Sequence, residues 1–288
     1  MQRTTLNGSV RVSGVGLFSA QPISLKLSPM LDQSGTVFKH QGILIPVHIN
    51  NLSTIPVHPA FAQMKPRCTS LSVGGVNIAT VEHVLSALAG LGITDAFIEI
   101  DSDQPQCEIP IMDGSAIDFV NAIQSVGIQQ LNTTINPITI AQAIRIEEGD
   151  SSITIEPADS PSYSYTLEYE HKAITNASVV WDGDTNEYIN RIAPARTFCL
   201  EHEAVAMKSA GMFTHLGTKD MLVLGDVGPI DNALRHEHEC ALHKLLDLIG
   251  DLSLVGRPLC AKVTAIKSGH AMAHLAALAI VEQIAHES

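Results

Sequence analysis

Two segments far apart in the chain carry the residue types of a hydrolytic metal site. Thr80-Val81-Glu82-His83 and His243-Lys244-Leu245-Leu246-Asp247 together supply two imidazoles and two carboxylates. A catalytic zinc takes three protein ligands and keeps a fourth position for water, and a carboxylate that does not bind the metal can take that water's proton. In that scheme His83, His243 and Asp247 are the ligands and Glu82 is the base.

Those side chains must be positioned by helices. Residues four apart lie on nearly the same side of a helix, so His243 and Asp247 converge on one ion if 232–250 is helical. At about 100° per residue, Leu242, Leu245, Leu246 and Ile249 form one apolar stripe with His243 and Asp247 at its edge, and Gly250 reads as the stop. Around Glu82 the pattern is similar. Thr80 is the expected N-cap, Val81, Val84, Leu85 and Leu88 form the buried stripe, and His83 points away from it. Taken alone, His83 is a surface histidine on an amphipathic helix and Glu82 a first-turn carboxylate favoured by the helix dipole. Only pairing with the second segment makes them a site.

Other metal sets compete. His236 and His238 precede His243, but His236 lies two turns away, roughly 10 Å by rise per residue, too far to share an ion. Cys240 is a stronger rival, because a Cys three residues from His243 would suit a closed structural zinc, although no CxxC pair exists to complete it. His270 and His274 are a further pair spaced by four. His270, after Ser268-Gly269, reads as a catalytic residue at a loop-to-helix junction, and His274 as surface or packing.

Four segments, Thr80-Val81-Glu82-His83, Ala195-Arg196-Thr197-Phe198, the run from His243 to Asp251, and Lys267-Ser268-Gly269-His270, resemble those of the UDP-3-O-acyl-N-acetylglucosamine deacetylases, the zinc amidases of lipid A synthesis. The likeness extends to Gly14-Val15-Gly16-Leu17 and Ile111-Met112-Asp113-Gly114-Ser115, so it spans nearly the whole chain in order. The resemblance implies that His83, His243 and Asp247 bind zinc and that Glu82 deprotonates the attacking water. It implies Thr197 as oxyanion donor, a protonated His270 as acid for the departing amine, and Asp251 as its orienting partner. Lys244 would contact the substrate's polar head, and Phe198 would lie against the sugar or the mouth of the acyl passage. The chemistry is coherent: amide hydrolysis needs a nucleophile at neutral pH and a proton for the leaving amine.

The same resemblance implies an α+β fold of two similarly folded domains, each a β-sheet with helices packed on it, the helices sandwiched between the sheets and the site at their interface. The expected division is 1–130, supplying Glu82 and His83, and 138–288, supplying Thr197, His243, Asp247 and His270, with an acyl-passage insert at about 198–226. Periodicity independently predicts strands at 9–12, 23–27, 96–100, 143–146, 152–156 and 164–169. It predicts helices at 82–91, 115–126, 199–210, 232–249 and 271–285. The polar stretch Asn132-Thr133-Thr134-Ile135-Asn136-Pro137 reads as the linker, and there is no residue-level repeat.

Composition bounds the rest. With 288 residues, 45% of them hydrophobic, the chain can bury a substantial core. A formal net charge of −13 argues against nucleic-acid binding, so an anionic nucleotide-sugar substrate needs a local basic patch, for which Lys244, Lys262 and Lys267 are the expectation. Five scattered cysteines and a polar N-terminus predict a reducing, cytoplasmic setting, without a membrane span but with peripheral contact open.

Three segments depart from the family pattern: Phe18-Ser19-Ala20, Leu216-Gly217-Thr218-Lys219-Asp220-Met221, and Ala271-Met272-Ala273-His274, which lacks the polar amides usual there. The expected function is zinc-dependent hydrolysis of the N-acetyl group of UDP-3-O-acyl-N-acetylglucosamine. The alternatives are another acylated amino sugar as substrate, or a non-catalytic, metal-stabilised lipid-binding protein. Two imidazoles and a carboxylate suit Fe2+ as well as Zn2+. Oligomeric state and acyl length are not encoded in these features.

Overall fold

In a computed structural model the described residues are 1–32, 35–218 and 220–287. Two mixed sheets dominate, and they share one plan. The first contains β1 (Val10–Val15), β2 (Pro22–Pro29), β3 (Thr36–His40), β4 (Ile43–Pro46) and β5 (Ala96–Asp101), in spatial order β1-β2-β5-β3-β4. The second contains β6 (Ile144–Glu148), β7 (Ser151–Pro157), β8 (Ser162–Leu167), β9 (Ala177–Trp181) and β10 (Leu259–Ile266), in order β6-β7-β10-β8-β9. In both, the last strand in sequence enters the centre, antiparallel to the second strand and parallel to the third. The architecture is therefore α+β, with a topological repeat that the residues themselves do not display.

A helix fills each parallel crossover, since parallel neighbours cannot be joined by a tight turn. These are α1 (Glu82–Gly90) between β3 and β5, and α4 (Glu239–Leu252) between β8 and β10. Each sheet's last strand is followed by another helix, α2 (Ile117–Val126) or α5 (His270–Glu287). A shorter helix, α3 (Glu201–Ser209), lies ahead of α4. Helix α2 packs against β1, α4 against β8 and β9, and α5 against β6 and β7. Helices α1 and α4 pack on each other, which places the helices between the sheets.

The strands follow from alternation. In β2 the inward residues Ile23, Leu25 and Leu27 are buried, and in β10 Leu259, Ala261, Val263 and Ala265 are, while Lys26 and Lys262 point outward to carboxylates. Helix α1 is buried nearly all round rather than on one stripe. Val81, Val84, Leu85 and Leu88 sit in the core, and the polar face with Glu82, His83 and Ser86 is covered as well. The surface position that the helix pattern alone gives His83 is not found, because α4 covers that face.

Three other expectations are corrected. Thr80 does not cap α1: its φ is 58°, its hydroxyl faces the carbonyls of Ala79 (2.7 Å) and Ile109 (3.0 Å), with one proton to share between them, and Val81 takes the N-cap position. A left-handed backbone is unusual for a β-branched residue and marks a sharp reorientation just ahead of Glu82. Helix α4 starts at Glu239, not near 232, because Arg196 and Glu239 engage backbone and side-chain groups of the preceding segment. Gly250 lies inside α4, which runs on to Leu252. A Cβ there would sit 2.1 Å from the Glu82 carbonyl oxygen, so this glycine permits close approach of α1 and α4 rather than ending a helix.

The stretch read as a linker is partly strand. Ile128–Thr134 pairs antiparallel with Gln2–Leu6, which leaves Ile135-Asn136-Pro137 as the irregular part. Among the described residues no helix is long and apolar enough to cross a membrane.

Candidate active site

The crossing of α1 and α4 brings His83 together with His243 and Asp247. Asp247 Oδ1 lies 3.6 Å from His83 Nε2 and 3.4 Å from His243 Nε2, and the two rings meet edge to face with centroids 5.2 Å apart. All three side chains are buried, and among the described residues they form the one cluster of three or more His, Cys, Asp or Glu with metal-ligand spacing. The fit to a tetrahedral ion can be checked. Ligand bonds of about 2.0–2.1 Å at tetrahedral angles put neighbouring donors about 3.3 Å apart, close to the separations found. The tautomer fits too: His243 Nδ1–H donates to the Ala195 carbonyl at 3.1 Å, leaving the Nε2 lone pair facing His83 and Asp247. Asp247 splits its oxygens, Oδ1 toward the imidazoles and Oδ2 accepting from Lys244 Nζ at 2.6 Å.

The electrostatics agree with a cation site. Burial pushes His243 down to about 3, against the pull of Asp247, so the ring is a neutral donor. Burial opposes charge on Asp247, but its charged neighbours, the Lys244 ammonium at 2.6 Å among them, outweigh it and hold the carboxyl well below its usual range. Burial also opposes the Lys244 ammonium, and Asp247 more than compensates, holding it protonated. Cys240, the rival ligand, is buried and outside the cluster, with its thiol pushed up to about 12 by burial.

Glu82 precedes His83 in the first turn of α1 and is 4% exposed. Its Oε2 accepts from the Thr69 backbone N–H at 3.0 Å, and burial raises its pKa, with the nearby His270 and His83 opposing. His270 opens α5, and its Nδ1 donates to Asp251 Oδ2 at 2.9 Å. Burial disfavours charge on that imidazole, yet Asp251 wins and holds it up to about 9. A carboxyl raised by burial and an imidazole held protonated in one buried cluster are two titratable groups set apart by environment.

Thr197 and Phe198 approach from a separate segment whose placement is over-determined. Arg196 and Glu239, both nearly inaccessible, form an ion pair at 2.7 Å, and Arg196 also donates to Asn232 Oδ1 (2.9 Å) and the Ala233 carbonyl (2.6 Å). This clamps 195–197 to the start of α4. From the other side, Thr197 N donates to the Gly114 carbonyl at 2.7 Å, and a Cβ on Gly114 would meet Thr197 Cγ2 at 2.9 Å. The Ile111-to-Ser115 motif is therefore a buttress for the Thr197 segment.

Beside this segment opens an apolar cavity of about 320 Å3 walled by Phe18, Phe61, Phe198, Val205, Phe213 and Met221. The rings of Phe18 and Phe61 lie 5.6 Å apart, and those of Phe18 and Phe213 5.5 Å. Glu108, 6% exposed, holds the Phe18 loop by accepting from the N–H groups of Phe18 (2.8 Å) and Ser19 (2.6 Å). Helix α3 and the short parallel strands Phe198–Leu200 and Leu222–Leu224 supply the remaining wall. Lys219, within the divergent 216–221 segment, lies outside the described residues.

Each lysine expected for the basic patch has a carboxylate partner. Lys267 turns to Asp150 and, at 3.9 Å, to Glu168; Lys262 pairs with Glu156 at 3.0 Å; Lys244 is committed to Asp247. Carboxylates on adjacent strands and loops capture the first two lysines. Sequence reading also missed several residues. His274, read as surface or packing, is 7% exposed and bonded to Thr69, a contact whose one sequence signal is the spacing of four from His270. Thr69 and the Arg196–Glu239 pair carry no local signal, since their partners are distant in sequence.

Comparison with known proteins shows the family. A family model described as UDP-3-O-acyl N-acetylglycosamine deacetylase matches residues 3–282. Proteins named UDP-3-O-acyl-N-acetylglucosamine deacetylase are similar over nearly their full length. The one from Nautilia profundicola is 33% identical, covering 100% of this chain and 94% of its own. That from Leptospira biflexa is 34% identical (99% and 91%), and that from Saccharophagus degradans 35% identical (98% and 91%).

Proposed function

Because the chain belongs to the UDP-3-O-acyl N-acetylglycosamine deacetylase family, we propose that it removes the N-acetyl group from UDP-3-O-acyl-N-acetylglucosamine, releasing acetate and the free glucosamine amine for lipid A synthesis. The observation that carries this reading is the convergence of His83, His243 and Asp247 in one buried cluster with Glu82 and His270.

His83, His243 and Asp247 are the proposed ligands of one Zn2+, with Fe2+ as the alternative. Such an ion, when bound, lowers the pKa of a coordinated water toward about 7 and polarises the acetamide carbonyl. The residues of the chain supply the remainder. Glu82, fixed by Thr69 N–H at one oxygen and desolvated, is the base that takes the proton from the attacking water. Thr197 donates to the oxygen that gains charge as the carbonyl becomes tetrahedral. His270, held protonated by Asp251, gives its Nε2 proton to the departing amine, which cannot leave as an anion at neutral pH. Lys244 keeps Asp247 ionised and presents positive charge beside the substrate's polar head. Phe198 lines the apolar cavity, which takes the 3-O-acyl chain. Division at about 130–138 into two domains that share the site follows from the same reading, as does assignment of 198–226 to the acyl passage.

The test is acetate release from the UDP-linked substrate by metal-loaded protein, beside chelator-stripped protein and a Glu82→Gln variant. Turnover confined to the loaded wild type supports the reading. Loaded wild type that binds metal stoichiometrically but releases no acetate refutes it, and activity on acylated amino sugars lacking UDP would move the assignment to a different substrate.

A further inference from the structure

Thr69 stands between the proposed base and the proposed acid. It is fully buried, ahead of the short strand Leu71–Val73, and every polar group it owns is committed. Its N–H donates to Glu82 Oε2 at 3.0 Å and its carbonyl accepts from Val81 N–H at 3.1 Å. Its hydroxyl lies 2.5 Å from Asp251 Oδ1 and 2.7 Å from His274 Nε2.

Proton counting fixes the direction of these bonds. An ionised carboxylate only accepts, so the single hydroxyl proton of Thr69 goes to Asp251. The Thr69 oxygen must then accept from His274, whose Nε2 therefore carries a proton. Asp251 has its other oxygen filled by His270 Nδ1–H at 2.9 Å. The result is a directed chain in which His274 donates to Thr69, and Thr69 and His270 both donate to Asp251. One residue thus holds the base through its backbone and the partner of the acid through its side chain.

We propose that Thr69 is a positioning residue for the deacetylation, registering Glu82 against the Asp251–His270 pair, and that His274 steadies its hydroxyl by donating to the oxygen. The proposal rests on the reading of Glu82 and His270 given above. Neither Thr69 nor His274 touches the reacting atoms. The arrangement serves more than packing, because a residue needed only to fill this space could have been apolar, leaving no hydroxyl to orient Asp251.

The test compares metal-loaded wild type with Thr69→Val, which removes the hydroxyl and keeps shape and backbone N–H, Thr69→Ser, which restores the hydroxyl, and His274→Ala. The expected result for Thr69→Val is a kcat lowered about ten- to a hundredfold, the range for losing a hydrogen bond to a charged group, with KM and metal content unchanged. Thr69→Ser should stay within about threefold of wild type, and His274→Ala should add little to Thr69→Val because it acts through the missing hydroxyl. The His270 ring N–H resonance in NMR spectra should shift in Thr69→Val and return in Thr69→Ser. Wild-type kcat in Thr69→Val, or equal losses in the Val and Ser variants, overturns the proposal. If wild type itself releases no acetate, the reaction assignment fails instead, and a His270 resonance unmoved by Thr69→Val overturns the positioning role independently.

Discussion

Gly250→Ala sets two physical effects of opposite sign against each other. Alanine in a helix interior is favoured over glycine by about 1 kcal/mol, so propensity alone predicts a more stable protein. In this structure the added Cβ would lie 2.1 Å from the Glu82 carbonyl oxygen, 2.8 Å from its carbon and 3.0 Å from its Cα. These are backbone atoms of α1, so no side chain can swing aside, and relief requires α1 and α4 to separate by roughly 1 Å to regain van der Waals contact. Overpacking of this kind costs about 1–3 kcal/mol. With a clash this deep the upper part of that range applies, and the net effect is destabilising by about 1–2 kcal/mol. For a chain of 288 residues the unfolding entropy is roughly 0.6 kcal/mol/K, so Tm should fall by about 2–3 °C.

The functional loss should be larger than the thermal one. Separation moves Glu82 and His83 away from His243 and Asp247, and the 3.6 Å separation of His83 Nε2 from Asp247 Oδ1 would open beyond tetrahedral spacing. A displacement near 1 Å costs on the order of 100-fold in rate. Differential scanning calorimetry, zinc titration and acetate release, run on the same preparation, measure all three quantities. A raised Tm with unchanged metal affinity and kcat would refute the reasoning, because it would mean that propensity rather than helix contact governs position 250.

Other perturbations give separate expectations. His243→Ala should abolish stoichiometric metal binding measured by elemental analysis, whereas Glu82→Gln should keep the metal and lower kcat by about 10²–10⁴. Glu239→Ala leaves Arg196 buried without its carboxylate and should cost about 3–5 kcal/mol in denaturant unfolding, with the 195–197 segment losing protection from hydrogen exchange. His270 is raised to about 9 when folded against 6.5 when free, so its contribution to stability is complete below about pH 6.5 and is lost as pH rises through about 9. Asp251→Asn removes the group that outweighs burial, so the alkaline limb of kcat/KM should move to lower pH and the stability contribution should vanish across that window. Phe213→Ala should enlarge the apolar cavity and shift preference toward bulkier or longer acyl chains, read as the ratio of kcat/KM values across a chain-length series.

The parts of this molecule legible in the sequence are those set by local spacing. His243 and Asp247 could be paired because one helical turn separates them, and the strands announced themselves by alternation. His83 was legible only as half of a pair, since its own helix pattern pointed it to solvent; a second helix covers that face. Gly250 was visible as a special residue but given the wrong task, because ending a helix and admitting a neighbouring backbone both demand glycine, and the neighbour is far away in sequence. Thr80 looked like a cap for the same reason that it is not one: a hydroxyl ahead of a helix fits the pattern until φ becomes positive. The shared plan of the two sheets was implied by the family resemblance and not by the residues, because strand order depends on register and pairing, which very different residues can satisfy. Thr69, His274 and the Arg196–Glu239 pair were illegible because their roles exist only once distant segments meet.

The seam between the two equivalent sheet-and-helix units has a consequence for assembly. His83 comes from the first unit and His243 and Asp247 from the second, so neither unit holds all three proposed ligands. An ion held by all three would act as a cross-link between residues about 160 positions apart, much as a disulfide does. Loop-closure entropy for that span is on the order of 5 kcal/mol, although native strain and residual structure reduce what such a link delivers. Chelation therefore becomes a probe of docking between the halves, and stripping the ion should loosen the seam before it unravels either sheet.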